Sequence, residues 1–544
     1  MTKLASLRIG SRRSDLARLQ SQLVGNRLGT NQFVFKEAPG DINLKDPLWK
    51  MPEMGVFTSF LRRYLESGEV DLVVHSWKDL PVEKDPATAI VATMPRADPR
   101  DLLLINKAAL AQAYQTGHLV ILSSSPRRKH NLPDFLMKSI PTNPDGKRIT
   151  SVEFRDVRGN IQTRLSKLCL PTEPAATGLI VAKAAIDRFI LAGTQMEEFK
   201  NTGDLVRRCL DQCLWQVLPL SVNPTAAAQG ALAVEMLDSE ETAEIRSAVK
   251  NTINCDTTFD CVNEERSILH SLGGGCHQKI GCTILRREWG TVKFLRGQTD
   301  KARNNVWEAT IEPSSSVATS RVDESMFIQI GGRSGIHLFE REDIPNASMK
   351  IEKALKKSGA NVGLYVAKSD AVPSGLSPGA VGDRLVWSAG VQTWFSLAKR
   401  GFWINGSSDS LGEGEPIDTY LLSGNNGDSG WIKLTHTEGS FEVNKGANEF
   451  IDIIPTYRLR RREMSLDDSA AFNGKSHFYF SSGSAFKALT SLRPDLIQKF
   501  NQGVFTAACG PGNTLDLIRS IVPRVTVAYS YTDFVRQHST TPQI

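Results

Sequence analysis

The chain has no CxxC pair, and its eight cysteines are scattered at irregular spacing along 544 residues. Disulfide frameworks belong to small secreted domains, so these thiols are expected to be free in a reducing setting. No run reaches the ~18 uninterrupted apolar residues of a membrane-spanning helix. Met1-Thr2-Lys3-Leu4-Ala5-Ser6 lacks the continuous apolar stretch of a secretory signal. The expectation is a cytoplasmic protein with no membrane partner. An excess of one charge is missing too: 65 Lys and Arg face 59 Asp and Glu, a net +6. No global field for a polyanion follows, nucleic acid is not an expected partner, and anions must be recognised by local arginine clusters. With 40% hydrophobic and 23% charged residues, what is present is an ordinary globular composition. The length exceeds the ~250 to 300 residues at which a single core stops growing, so several domains are expected.

Residues 7 to 28 read as a strand, a turn and an amphipathic helix, because Leu16, Leu19, Leu23, Val24 and Leu28 recur at helical spacing and Ser14 stands at the N-cap position. Val70-Asp71-Leu72-Val73-Val74 fits a buried parallel strand that ends in His75-Ser76-Trp77-Lys78-Asp79-Leu80-Pro81. Open α/β sheets place their sites at such carboxyl ends. The rhythm repeats at Leu119-Val120-Ile121-Leu122 and Gly178-Leu179-Ile180-Val181-Ala182, which predicts doubly wound α/β domains over about the first 240 residues. From 241 to about 345 the alternation stops and a small α+β domain is expected. A boundary is placed near 350 to 362, after which the α/β rhythm resumes at Phe478-Tyr479-Phe480 and Val504-Phe505-Thr506-Ala507-Ala508-Cys509.

The densest chemical feature of the first half is arginine beside strand ends and turns: Arg12 and Arg13 flank Ser14, Arg127 and Arg128 follow Ser123-Ser124-Ser125-Pro126, Arg158-Gly159-Asn160 precedes Arg164, and Arg188 ends a helical segment. Guanidinium forks hold carboxylates or phosphates in a fixed orientation, and hydroxyls and helix-terminal amides add donors. Any one of these arginines alone is best read as a solvated surface residue; their clustering at turns leaving apolar strands points to a ligand with several acidic groups. Asp79 is the acid of the set, suited to acid/base work or to stabilising a developing cation, with an N-cap or loop ion pair as the plainer reading. Cys276 follows Gly273-Gly274-Gly275, where the backbone can approach a ligand and leave the thiol reachable for covalent attachment. Metal binding by Cys255, Cys261, Cys276, His277 and Cys282 fits less well, because zinc sites use tighter ligand pairs, so no metal is expected.

These residues carry a family resemblance. Residues 1 to about 345 resemble porphobilinogen deaminase through Arg8-Ile9-Gly10-Ser11-Arg12-Arg13-Ser14-Asp15-Leu16-Ala17, Gly55-Val56-Phe57-Thr58, Val73-Val74-His75-Ser76-Trp77-Lys78-Asp79-Leu80-Pro81, Arg96-Ala97-Asp98-Pro99-Arg100-Asp101, Ser124-Ser125-Pro126-Arg127-Arg128, Val157-Arg158-Gly159-Asn160, Ala228-Gln229-Gly230-Ala231-Leu232 and Glu265-Arg266 through Gly274-Gly275-Cys276. The resemblance implies that four porphobilinogen molecules are joined into hydroxymethylbilane, with loss of ammonia, on a dipyrromethane primer bound by a cysteine thioether. It implies that Cys276 carries the primer and that Asp79 is catalytic. Lys78, Ser125, Arg127, Arg128, Arg158 and Arg188 would hold the cofactor, and Arg12, Ser14, Phe57, Arg164 and Gln229 the substrate. The implied fold is two doubly wound lobes of periplasmic-binding-protein type plus a small α+β domain, followed by a further α/β module. Its divisions are 1–100 with 218–245, then 101–217, then 246–345. The chain departs from the pattern at Glu53-Met54-Gly55, where a Gly-Lys-Gly is common, at Pro126 and at Lys279.

Residues 355–544 resemble uroporphyrinogen-III synthase through Arg384-Leu385-Val386-Trp387-Ser388-Ala389-Gly390, Leu397-Ala398-Lys399-Arg400-Gly401-Phe402-Trp403-Ile404-Asn405-Gly406, Ile453-Ile454-Pro455-Thr456-Tyr457, Phe480-Ser481-Ser482-Gly483-Ser484-Ala485 and Ala508-Cys509-Gly510-Pro511-Gly512-Asn513-Thr514. The segment is short for that family's two-domain form. The resemblance implies cyclisation of hydroxymethylbilane with loss of water, and the candidate residues are Tyr457, Ser482, Asn513 and Thr514, each equally readable as a cap or packing residue. A monomer is expected. Two other readings stay open: a deaminase with a noncatalytic carboxyl-terminal interaction domain, and a two-lobed polycarboxylate-binding protein.

Overall fold

Short apolar strands alternating with amphipathic helices must lie side by side with the helices covering their faces, and the computed structural model shows which strands pair. It describes residues 3–37, 59–170, 176–273, 278–299, 305–314, 321–332, 334–424, 430–439, 443–446, 448–463 and 470–540. The chain forms two units, the first comprising Met1–Met137, Asp145–Ile284 and Phe294–Trp307, the second Lys138–Pro144, Leu285–Lys293 and Glu308–Ile544. Among the described residues no helix is long and apolar enough to cross a membrane.

The first unit holds two five-stranded mixed sheets. One has the order Gln32–Lys36, Arg8–Arg12, Leu72–Ser76, Leu232–Leu237, Thr88–Ala92. The first three strands are parallel, and Leu232–Leu237 runs antiparallel to both of its neighbours. The other repeats the plan with Ser151–Arg155, His118–Leu122, Gly178–Ala182, Asp101–Asn106 and Cys213–Val217, where Asp101–Asn106 is the antiparallel strand. Leu72, Val73 and all of Leu102, Leu103, Leu104 and Ile105 are fully buried, as expected of central strands covered on both faces. The helix Asp15–Leu28 begins after an extended Ser14 and is closed by Gly29 in the left-handed region at φ 74°, the usual stop for a helix. The chain passes from one sheet to the other between 92 and 101 and back between 217 and 232. These two crossings carry Asp98, Arg100, Gln229 and Gly230, and they bring sequence-distant polar groups together.

A three-stranded sheet, Gly281–Arg287, Gly290–Gln298 and Asn305–Pro313, follows. The second unit then contains two further sheets. Four parallel strands lie in the order Phe327–Ile330, His477–Phe480, Thr506–Cys509, Thr526–Val527. The larger sheet has the order Phe339–Asp343, Asn448–Arg461, Trp431–His436, Gly363–Val366, Val386–Ser388, Gly406–Ser407, with Asn444–Lys445 added on Asn448–Arg461. The chain enters this sheet along Phe339–Asp343 and leaves it along the end of Asn448–Arg461, and the two segments pair antiparallel from Phe339 opposite Arg461 to Asp343 opposite Tyr457.

This pairing differs from the sequence reading, which assigned residues up to 345 to the small α+β domain. Phe327–Ile330 pairs with His477–Phe480 and Phe339–Asp343 with 457–461, so these strands belong with the carboxyl-terminal sheets. A strand's own pattern shows which face is buried but not which partner lies beside it, and these partners are more than a hundred residues away. The carboxyl-terminal region is therefore longer than 355–544 and has two layers.

Candidate active site

The strand Leu72–Ser76 ends in a 3-10 turn, Trp77–Asp79. Trp77 is buried against Phe259, ring centroids 5.4 Å apart, and its amide donates to the Ala231 carbonyl at 3.1 Å. This anchor fixes the next two residues at the carboxyl end of the strand: Lys78 is half-buried and Asp79 is exposed. Lys78 Nζ donates to Gln229 Oε1 at 3.4 Å. Gln229, itself buried, donates through Nε2 to the Pro99 carbonyl at 2.6 Å and to Asp101 Oδ1 at 2.8 Å.

Asp101 is the hub. It is 1% exposed and accepts from Arg127 Nη2 at 2.8 Å, from Arg128 Nη2 at 2.6 Å and Nε at 3.0 Å, and from Asn223 Nδ2 at 2.8 Å. Burial alone would raise its pKa, but the charges of Arg128 and Arg127 outweigh that and hold the carboxyl well below the usual range. Arg127 is also held by Asn223 Oδ1 at 2.8 Å and the Pro224 carbonyl at 2.7 Å, and Arg128 by the Ile180 carbonyl at 2.9 Å. Both guanidinium groups, expected from sequence to grip the cofactor, are thus also gripped by the protein. Ser125 caps the helix Pro126–Asn131, its Oγ accepting from the Arg128 amide at 3.4 Å.

Around this hub the remaining cations are left with excess positive charge. Burial is the largest cause of a lowered pKa at Lys78, opposed by Asp79 and reinforced by Arg128. Arg164 is lowered by burial and then by Arg128, with Asp79 opposing and Arg158 adding; its Nε donates to the Gly159 carbonyl at 2.9 Å. Burial takes Arg188 down to about 10, and its Nη2 donates to the Gly230 carbonyl at 2.8 Å. Arg158 has Nε and Nη2 buried with no partner among the described residues, a costly state unless an acceptor arrives. Lys78, Asp79, Arg128, Arg158 and Arg164 therefore feel one another's charges in a single neighbourhood. Arg12 ends the strand Arg8–Arg12 and Ser14 sits at the following N-cap without a side-chain cap bond. Cys276 and Phe57 lie outside the described residues.

The family model described as "Porphobilinogen deaminase, dipyromethane cofactor binding domain" matches residues 7–245. A porphobilinogen deaminase of Acidothermus cellulolyticus is 34% identical over 283 residues, 51% of this chain and 75% of that protein. That of Francisella philomiragia is 30% identical over 278 residues, covering 50% and 80%. That of Desulfitobacterium hafniense is 30% identical over 306 residues, covering 54% and 87%. The chain belongs to the porphobilinogen deaminase family.

The residues present suit the cofactor of a porphobilinogen deaminase. A dipyrromethane bearing acetate and propionate groups needs several fixed cations, and the unpartnered N–H groups of Arg158 are donors of that kind. Sequence reasoning missed the residues that hold the deaminase site in place. Asp101 was quoted in the Arg96 to Asp101 motif without a role, although two acids and two arginines within six residues signal ion pairing. Glu265, fully buried, accepts from Arg96 Nη1 at 2.6 Å and Nη2 at 3.0 Å, and from the amides of Ala228 at 2.7 Å and Ile284 at 2.8 Å. It thereby fixes Ala228 in the left-handed region at φ 67°, which aims the neighbouring Gln229.

In the second unit the four candidates have separate local settings. Tyr457 is buried, its pKa pushed up to about 12 chiefly by burial, with its ring 5.2 Å from the Arg341 guanidinium carbon and 5.6 Å from the His436 ring. Ser482 caps the helix Gly483–Leu492 by accepting from the Ala485 amide at 3.2 Å. Asn513 opens the helix Asn513–Arg519 and donates to Glu413 Oε2 at 2.7 Å, and Thr514 follows it, half-buried.

Proposed function

We propose that this chain joins four porphobilinogen molecules into hydroxymethylbilane with release of ammonia, and that its carboxyl-terminal layers cyclise the product to uroporphyrinogen III. The observation that carries the first part is that Lys78 and Asp79, at one strand end, share a charged neighbourhood with the Asp101 hub, Arg164 and Arg158, whose Nε and Nη2 have no acceptor among the described residues. In this reading Cys276 holds dipyrromethane, which supplies the pyrrole terminus that the chain grows from. Arg158, Arg164, Arg188 and Arg12 neutralise acetate and propionate groups, with Ser14, Ser125, Arg128 and Gln229 completing the cradle and Phe57 covering it. Asp79, exposed and close to Lys78, faces the positive charge that develops on a pyrrole nitrogen as the amino group leaves, and it stabilises that charge or passes a proton to the departing amine. Asp101 touches none of this chemistry; it keeps Arg127, Arg128 and Gln229 in place. The divisions 1–100 with 218–245, and 101–217, act as the two lobes of periplasmic-binding-protein type.

The second part is supported by two α/β sheets, the chain entering and leaving the larger one along a pair of antiparallel strands, which fits a two-domain cyclising module, with Tyr457, Ser482, Asn513 and Thr514 as its candidate contacts. Hydroxymethylbilane closes spontaneously to the wrong isomer, so a second site tethered to the first gains from a high effective concentration. Purified full-length chain given porphobilinogen alone should yield the type III isomer and carry a covalent dipyrromethane mass that is lost in Cys276→Ser. Exclusive type I product would remove the second activity, and an unmodified mass after expression with substrate available would remove the first. The protein is read as a cytoplasmic monomer.

A further inference from the structure

The segment 409–415 of the second unit is held by an unusual number of anchors. Asp409 and Ser410 both have positive φ, 53° and 62°, and Gly412 has φ 108°, so consecutive residues with a Cβ occupy a region they disfavour. The segment follows the last strand of the larger sheet, Gly406–Ser407, yet several of its contacts reach elements of the four-stranded layer. Tyr529 Oη donates to the Asp409 carbonyl at 3.1 Å. Gly412 and Gly512 approach so closely that a Cβ on either would lie 2.8 Å from the other's Cα. Glu415 accepts both arms of Arg287, from Nε and Nη2, each at 2.7 Å. Between these points Glu413 Oε2 accepts from two donors. One is Lys433 Nζ at 2.6 Å, from the centre of the larger sheet and fully buried; the other is Asn513 Nδ2 at 2.7 Å, from the other layer.

A carboxylate cannot donate, so it dictates which end of the Asn513 amide faces it. With Nδ2 turned to Glu413, Oδ1 is left as an acceptor, and it is buried with no partner among the described residues. Strained backbone persists only where the surroundings over-determine it, and here the strained residues belong to a strap that runs from the end of the larger sheet onto elements of the four-stranded layer.

We propose that Glu413 is a positioning residue of the carboxyl-terminal site: it locks the 409–415 strap across the two layers and fixes Asn513 so that its Oδ1 accepts from a ligand N–H of the pyrrole kind. The assignment of a pyrrole rests on the cyclising function proposed above; the strap itself does not.

Hydrogen exchange on the full chain tests the strap without reference to activity. Asn513→Asp places two carboxylates in contact, and peptides covering 409–415 and 510–516 should exchange about tenfold faster. The exchanged pair Glu413→Gln with Asn513→Asp restores an amide facing a carboxylate with the roles reversed, and protection should return. Tyr529→Phe, which removes a single hydroxyl, should loosen 409–415 by a smaller factor and keeps the test open if Asn513→Asp does not fold. Unchanged exchange in Tyr529→Phe and Asn513→Asp, or no recovery in the exchanged pair, overturns the strap. With porphobilinogen as substrate, the type III fraction should fall in Asn513→Asp and recover in the exchanged pair while porphobilinogen consumption is unaltered. Loss of protection with an unaltered type III fraction would overturn the positioning role, whereas a wild-type chain that makes no type III product would overturn the cyclising function and leave the exchange result standing.

Discussion

Asp101 and Glu413 are both shielded acids that organise distant residues, but they leave opposite surplus behind. Asp101, fully buried, and the exposed Asp79 are the acids among Arg127, Arg128, Lys78, Arg158 and Arg164, and burial lowers the pKa of Lys78, Arg127 and Arg164. Cations outnumber the acids, and the excess is what an acidic ligand would satisfy. Glu413 is matched by a single buried lysine, Lys433, and its second donor is a neutral amide. No cationic surplus remains there. In the proposed function the first unit holds its ligand through carboxylates, whereas Glu413 orients a neutral acceptor, Asn513 Oδ1. Under the proposed function the two devices divide the work, one retaining the growing polycarboxylate and the other meeting the finished one.

The sharpest contrast is between Asp79 and Asp101, which lie in one network but do different work. Asp79 is exposed and is the acid proposed for the reaction; Asp101 is buried and holds Arg127 and Arg128. Asp79→Asn should lower the rate of porphobilinogen consumption by roughly 10²–10⁴-fold with an unchanged melting temperature. A loss of rate no greater than that of a surface substitution would remove Asp79 from the chemistry. Asp101→Asn leaves Arg127 and Arg128 buried without their counter-charge, a change that typically costs about 3–5 kcal/mol. Urea unfolding should show that loss in the transition of the first unit. If that transition instead stays in place, the arginines do not depend on Asp101 and the hub is not the organising element.

The strand ends and their arginines were legible in the sequence because apolar runs followed by polar residues have a local signature, as at Val70 to Asp79 and Leu119 to Arg128. The helix positions near 15–28 and 483–492 were legible for the same reason. The hubs were not. Asp101 is 26 residues from Arg127 and 128 from Gln229, and Glu413 is 100 residues from Asn513, so nothing near either acid in sequence announces its partners. Strand partnership was hidden likewise. Phe327–Ile330 looks like any short apolar strand, and its membership of the carboxyl-terminal layers depends on His477–Phe480. Tyr457 was chosen for a motif, and its burial beside Arg341 and His436 could not be read from that motif.

The two units should also separate by pH. In the second unit burial pushes His436 and His477 down to about 4, and it lowers His538, which packs against His477. A neutral histidine in the folded state faces an unfolded chain that takes up a proton near its ordinary pKa of ~6.5. The stability tied to that difference is fully present above ~6.5 and is lost as pH falls toward ~4. Among the described residues of the first unit, one histidine is lowered in this way, His130. Its principal shifted groups are carboxylates, Glu235 pushed down to about 2 by hydrogen bonds and the charge of His75 against its own burial, and Asp101 lower still. Their contribution is present above ~4 and is lost only below it. Asp533 in the second unit works in the opposite direction, since burial raises its pKa. Calorimetry at about pH 7.5 and about pH 5 should therefore lower the second unit's transition more than the first's, with Asp101→Asn marking which transition is which. His477→Phe should reduce that difference, because it removes the titrating ring and costs only the Nδ1 bond to Ser476 Oγ, Nε2 having no partner among the described residues, while the ring already lies among Phe327 and Phe534. Equal displacement of both transitions would mean that the buried histidines take up protons in the folded state, and the electrostatic contrast between the units would fail at its weakest point.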